Sequence, residues 1–309
     1  MKFSLSMVPL VLALLTFTVS SRATEPKPRL ASAAQDGAGT EFSAEFRSSG
    51  SNSWRSGHAK TSATEQTYTA SQALLARPEE TLTASIEYHQ TDFNFETGGN
   101  RPPLPERLIG ASIGVLYTRE LNPKWSYGTL VEVGSFTAGQ KGNWSTGGWS
   151  GTLGAVANYH VSPRFSVKLG AVYQTLAEGD ERVVPTLGFA WQINDACRFS
   201  VGFPRTALSY QLTGHLRVGL VAKGNFDTYR MKSEPSAVAN AEIKLRGEKL
   251  SYDEIDVSAE AEYACTSRLT LRASLGAVLQ RSAEYRARSL KLESRHTPPI
   301  GSFTVKYSL

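Results

Sequence analysis

Glu260, Glu262 and Arg272 have the residue types and spacing to act together. They flank the short stretch "YACTSRL", and Glu262 and Arg272 lie equally far from Ser267, near its centre. An antiparallel hairpin turning at Ser267 therefore sets them opposite each other. The pattern predicts a cross-strand ion pair, with Glu260 beside it as a second acceptor. The same polar phase of an alternating pattern also carries Glu87, Glu132, Lys168, Arg217, Lys223 and Lys306. Acids and bases in this set are nearly balanced. The chemistry is electrostatic, and it leaves two readings open: an interior bridged by ion pairs and shut to solutes, or a wet, weakly selective pore.

Residues for covalent or metal chemistry are sparse. The five histidines are His58, His89, His160, His215 and His296, and they form no HxH or HxxxH pair. The sequence has no CxxC, no GxSxG elbow and no Walker-type loop. No catalytic residue, cofactor or metal site is expected. Cys197 and Cys265 fall at two different short turns, several strands apart, whereas a disulfide requires Cα atoms within about 7 Å. Their redox state stays open. The 33 Lys and Arg against 28 Asp and Glu are scattered singly, which argues against a nucleic-acid partner.

The elements that must position these residues are strands. Apolar residues recur at every second position in "ANYHVSPRFSVKLGAVY", with Tyr159, Val161, Phe165, Val167 and Leu169 on one face. Similar runs contain Ile109 to Tyr117, Leu187 to Ile193, Ile255 to Tyr263, Leu269 to Leu279 and Phe303 to Leu309. Helix-period patterns are scarce. Short connections such as "LNPK", "SPR", "NDA", "TGH" and "TSR" alternate with long polar ones such as "TDFNFETGGNRPPLPER". That is the layout of an outer-membrane barrel, with short turns on one rim and long loops on the other. Tyr117, Tyr159, Trp191 and Tyr263 precede short turns, and Trp125, Phe165 and Phe199 follow them. These seven are expected to form the periplasmic-rim aromatic girdle.

The rival fold is a soluble secreted β-sandwich with the same alternation. Strand length argues against it. Several runs reach a dozen residues, whereas soluble strands average about 5–6 and membrane strands need about 9–11. The fold expected is all-β, an antiparallel up-and-down transmembrane barrel of about fourteen strands, with twelve as the alternative count. Its polar phase faces the lumen and its apolar phase faces lipid. On this basis Gly170 points inward, and Gly170→Ser is expected to be far milder than Leu169→Arg.

Three segments follow. Residues 1–23 have a positive start, an apolar run and a small-residue end, and read as a signal peptide cut near Ala23. Residues 24–39 are rich in Pro, Ala and Gly and read as a disordered periplasmic linker. Residues 40–309 form the barrel domain, with "AVANAEIKLRGEKL" (237–250) read as part of a long external loop.

The stretch "PTLGFAWQINDACRFSVGFPRTALSYQLTGHLRVGLVAKGNFDTYRM", with the later "LSYDEIDVSAEAEY" and "LQRSAEYR", resembles an uncharacterised bacterial family of outer-membrane β-barrel proteins. The likeness runs from about Leu108 to Leu309, and the "FPR" corner is its most specific part. It implies a fold and a location and supplies no catalytic residue. The last residue departs from the commonest outer-membrane ending, since Leu309 stands where Phe is usual.

The function expected is a non-enzymatic outer-membrane barrel, either a passive pore or a structural barrel. A lipid-modifying barrel enzyme and a soluble secreted binding protein are the alternatives. The partners expected are outer-membrane lipid, the barrel-insertion machinery acting on the C-terminal strand, and small solutes.

Overall fold

The computed structural model describes residues 39–55, 60–96, 101–142, 147–177, 182–235 and 244–309. The expected signal peptide lies outside them, as do all but the last residue of the expected linker and residues 237–243 of the expected external loop. The described chain is almost entirely sheet. Its strands are β1 (Thr40–Asn52), β2 (Thr61–Ala76), β3 (Glu80–Phe95), β4 (Arg107–Asn122), β5 (Trp125–Gly139), β6 (Trp149–Ser162), β7 (Phe165–Gln174), β8 (Val183–Gln192), β9 (Cys197–Gly202), β10 (Arg205–Gln211), β11 (Leu216–Met231), β12 (Lys249–Ala264), β13 (Leu269–Tyr285), β14 (Leu290–Glu293) and β15 (Pro299–Ser308).

Each of the first thirteen strands pairs antiparallel with its neighbour in sequence, β13 pairs with β15, and β15 pairs with β1. The sheet therefore closes on itself as a fourteen-stranded barrel. Closure satisfies the ladder hydrogen bonds that an open edge would leave exposed. β14 is not part of this wall. It pairs with the far end of β13, from Ser282 to Tyr285, as a small flap. The sequence reading had no strand there.

Side-chain exposure shows which face is inside. Along β4, exposed Ile113 and Val115 alternate with buried Ser112 and Gly114. Leu169, Leu187, Leu220, Leu275 and Phe303 are likewise exposed. The apolar phase thus faces outward and the polar phase inward, the reverse of a soluble sandwich.

Two irregularities shape the interior. Between Ile255/Gln280 and Asp256/Val278 the β12–β13 register slips by one, so Leu279 is an extra residue on β13. Leu279 and Gln280 are both exposed, and beyond them the inward phase of β13 moves from even to odd positions. Arg281, Ala283 and Tyr285 are turned inside.

The second irregularity is β11. Its last residues, Arg230 and Met231, pair in parallel with Thr137 and Ala138 of β5. At that level β11, still laddered to β12, has parted from β10 and closed onto β5, leaving β6 to β10 to one side. The parting begins near Gly224, whose N–H donates to the Pro204 carbonyl at 2.8 Å. Phe226, which shares the outward phase of Leu220, packs on inward-phase Val184 of β8.

Candidate functional site: the barrel interior

Near the short-turn end the interior is laced with ion pairs. Glu262 and Arg272 are register partners, and so are Glu262 and Arg217. Arg272 donates to Glu262 Oε2 through Nε at 3.1 Å and Nη2 at 2.5 Å, and Arg217 Nη1 donates to Oε1 at 3.3 Å. One carboxylate on the central strand of three thus holds a guanidinium on either side. Glu260 is not the second acceptor expected for Arg272. It accepts from Arg205 Nη2 at 2.9 Å, because β10 is two strands away and its arginine reaches across. Lys306 Nζ lies 3.2 Å from Glu41 on β1.

The remaining ionisable residues are spread around the wall. Lys168 is opposite Asn158 on one side and Gly188 on the other. Lys223 faces Asp256 across the β11–β12 ladder. Glu87 Oε1 lies 3.8 Å from Nδ1 of His89, and Glu132 is buried opposite Gly114. His89 in turn bonds the Tyr229 hydroxyl at 2.9 Å, a contact made possible by the inward turn of β11.

Further up, five residues that the sequence reading did not single out form one network. Arg47 on β1 bonds Glu65 on β2 at 3.0 Å and reaches over β15 and β13 to Glu254 and Asp256 on β12. Arg281 Nε bonds the other Glu254 oxygen at 2.6 Å, and its Nη2 bonds Ser49 Oγ at 2.9 Å. Glu254 and Asp256 continue the polar phase of Glu260 and Glu262, so plain alternation carried a signal for them. Arg47 and Glu65 sit in the two strands with the weakest alternation. Arg281 had no signal, because the Leu279 bulge reverses its phase.

Toward the long-loop end this polar layer gives way to apolar side chains. Trp54, Phe93, Leu104, Phe136, Tyr229, Tyr252 and Tyr285 form one buried cluster. Phe93 meets Tyr252 edge-on at 5.5 Å, and Phe136 meets Tyr229 at 6.3 Å. The segment before β4 folds in over them. Leu104 is buried, and the Tyr285 hydroxyl donates to the Pro103 carbonyl at 2.8 Å. Such packing fills the interior at this level.

A cavity of about 330 Å³ remains on the β6 to β13 side. Lys168, Arg198, Arg205, Arg217 and Arg272 line it with Glu260 and Glu262, and Val156, Val172, Val221, Phe203 and Pro204 complete it.

Of the aromatic residues expected at the short-turn rim, Trp125 and Phe165 open β5 and β7, Trp191 and Tyr263 stand one residue before the ends of β8 and β12, and Tyr117 lies five residues before the end of β4. Trp125 and Tyr159 are register partners with ring centres 4.7 Å apart, and Trp191 pairs with both Phe165 and Phe199. The Tyr117 hydroxyl donates to Glu80 at 2.9 Å, and Tyr263 is half-exposed beside His215. Cys197 and Cys265 are free thiols.

A closed, fourteen-stranded antiparallel barrel with an apolar outer belt and an ionic interior is a barrel of the outer-membrane type. Residues 50–298 match the model of a family described as "Domain of unknown function (DUF6268)", and the chain belongs to that family. No curated protein sequence matches it. Among solved structures it is similar to the COG4313 outer membrane channel from Pseudomonas putida F1, at 10% identity and a TM-score of 0.48 over 88% of this chain and 96% of that one. It is also similar to a Pseudomonas aeruginosa FadL homologue, at 10% identity and a TM-score of 0.44 over 91% and 92%. The KdgM porin matches at 10% identity and a TM-score of 0.38 over 86% and 99%.

Proposed function

We propose that the protein is an integral outer-membrane barrel that acts as a non-enzymatic, selective conduit and is closed to general diffusion in the conformation described. One observation carries the reading. At mid-height Arg47 spans from β1 to Glu254 and Asp256 on β12, and directly above it the interior is filled by the Trp54–Tyr252–Tyr285 cluster. Barrels of about 8 strands fill with side chains and those of 16–18 leave channels. Here the inward course of β11 makes a fourteen-strand wall enclose less space than its strand number suggests.

The outer-membrane location is supported by the exposed apolar belt and by full backbone closure, which lipid requires. Export through residues 1–23 with cleavage near Ala23, insertion through the C-terminal strand, and contact with outer-membrane lipid and small solutes belong to the same proposal.

The reading is tested by fractionation followed by liposome swelling. The protein is expected in carbonate-resistant outer membrane, with heat-dependent gel mobility. Liposomes containing it should not swell in arabinose faster than empty ones. Recovery in the osmotic-shock supernatant, or rapid swelling, would overturn the reading.

A further inference from the structure

The β9–β10 hairpin is too short to cross an apolar band. The six residues of β9, at about 3.3 Å each and tilted about 45°, rise roughly 14 Å, about half of a ~25 Å band. Its Phe203–Pro204 corner therefore ends within the band, although every other connection on that rim is a longer loop. Above the corner, Val183–Leu187 of β8 pair with β7 but among the described residues have no ladder partner on the other side. Likewise Asn225–Tyr229 of β11 pair with β12, and among the described residues no strand is laddered to their other edge. Pro185 lies in this free-edged segment, where a missing N–H is tolerated.

The wall here is thus closed by side chains instead of hydrogen bonds. Phe203 and Phe226 meet at 5.1 Å, and Val184 packs against Phe226. Rotating these side chains would part the wall without breaking a backbone ladder. The cavity lies directly behind. Its lining includes Thr186 and Leu187 of the free-edged segment and Phe203 and Pro204 of the corner, so it abuts this seam from within.

The lining is amphipathic. Apolar groups gather near the corner, and Arg198 stands toward the short-turn end, opposite Gln192 and Ser209. Arg205, Arg217 and Arg272 are bonded to Glu260 and Glu262, but among the described residues no carboxylate bonds Arg198. Lys168 lies close enough to Arg198 for the two charges to act on each other. The lining carries five cationic side chains and two acidic ones. A hydrocarbon chain already in lipid gains little by entering an apolar cavity, so selectivity must come from the head group, and this surplus of positive charge favours an anion. The volume suits a small molecule, within the ~300–1,000 Å³ common for such sites, and is too small for a two-chain phospholipid.

We propose that this cavity binds a single-chain amphiphile with an anionic head, typified by a medium-chain carboxylate, which enters from the membrane between β8 and β11 above the Phe203–Pro204 corner. The head lies against Arg198 and the chain against Phe203 and Pro204. The proposal rests on the membrane placement argued above and adds the ligand class and its route.

The test uses the full barrel in bilayer nanodiscs and, as probe, laurate carrying a diazirine near its methyl end. After irradiation, adducts should concentrate between Gly202 and Leu208. Excess laurate should abolish them, whereas dodecyltrimethylammonium, or phosphatidylglycerol in the disc, should not. Two variants separate the parts of the site. Gly202→Trp fills the cavity at a position where an added Cβ meets only ordinary contacts, the nearest at 3.6 Å. Arg198→Glu reverses the head-group charge at an exposed side chain. Each should lower labelling at least threefold while heat-modifiable folding is kept. Adducts spread evenly round the lipid-facing belt, labelling unchanged in both variants, or equal competition by the cationic amphiphile would overturn the proposal. Suppression by phosphatidylglycerol would also overturn it, in favour of an ordinary lipid contact. Binding is read without any ion crossing the barrel, so a negative result here is separable from failure of the closed-conduit reading.

Discussion

Arg281 Nε donates to Glu254 Oε2 at 2.6 Å, with only 1% and 2% of the two side chains exposed. This pair sits where the Leu279 bulge turns β13 inside out, and it locks the ionic layer to the apolar seal above it. Removing one partner from a buried pair strands the other and costs about 3–5 kcal/mol. Glu254→Ala is expected to lose that much, because it leaves Arg281 bonded only to Ser49 Oγ among the described residues. Arg281→Ala leaves Glu254 bonded to Arg47 and to the Tyr252 hydroxyl and should lose less. Both are read as urea-induced unfolding in lipid. A loss below about 1 kcal/mol from Glu254→Ala would mean that the pair is solvated.

Glu262 and Arg272 are more open, at 21% and 30% side-chain exposure. Their coupling should be smaller, about 1 kcal/mol, because water screens it and Arg217 remains on the same carboxylate. A double-mutant cycle with Glu262→Ala and Arg272→Ala measures it. Strictly additive losses would show that the pair contributes nothing beyond its register.

Leu169 is 63% exposed on β7. Leu169→Arg should cost about 2–4 kcal/mol if the residue lies near the bilayer midplane, against almost nothing for Leu169→Met. Gly170 cannot serve as the mild inward control expected from the sequence. A Cβ there would lie 2.3 Å from the Ala155 carbonyl oxygen and 2.8 Å from Val156 Cγ2, so Gly170→Ser must also destabilise. Equal tolerance of arginine and methionine at 169 would contradict the lipid-facing assignment.

Cys265 is exposed in the turn joining β12 and β13. With the short-turn rim toward the periplasm, a membrane-impermeant maleimide should label it in permeabilised cells and not in intact ones. Labelling in intact cells would invert the orientation.

The strand pattern was legible because a closed barrel turns its apolar phase outward along most of each strand, as in Ile113–Tyr117 and Leu269–Leu279, even where Ile109 at the far end of β4 is buried. The pairing of Glu262 with Arg272 was legible for a related reason: in a tight hairpin, distance from the turn fixes the register. What could not be read are the departures from regularity. One extra residue at Leu279 hides Arg281. The inward course of β11, with its parallel contact to β5, depends on contacts more than 90 residues apart, between Arg230 and Thr137. Arg205 drew Glu260 away from Arg272 by reaching across an intervening strand, which no local spacing encodes. The short β9–β10 hairpin was visible as two brief runs around "FPR", but its consequence, a break in the wall, appears only once its neighbours are seen to continue past it.

Single-channel recording in planar bilayers tests the central claim most directly. The seal is held by aromatic side chains, so the wild-type barrel is compared with a Phe93→Ala/Tyr229→Ala/Tyr252→Ala variant. The account predicts no steady ohmic conductance from the wild type and a sustained conductance once the three rings are removed. A stable open conductance in the wild type, unchanged by the triple substitution, would contradict it.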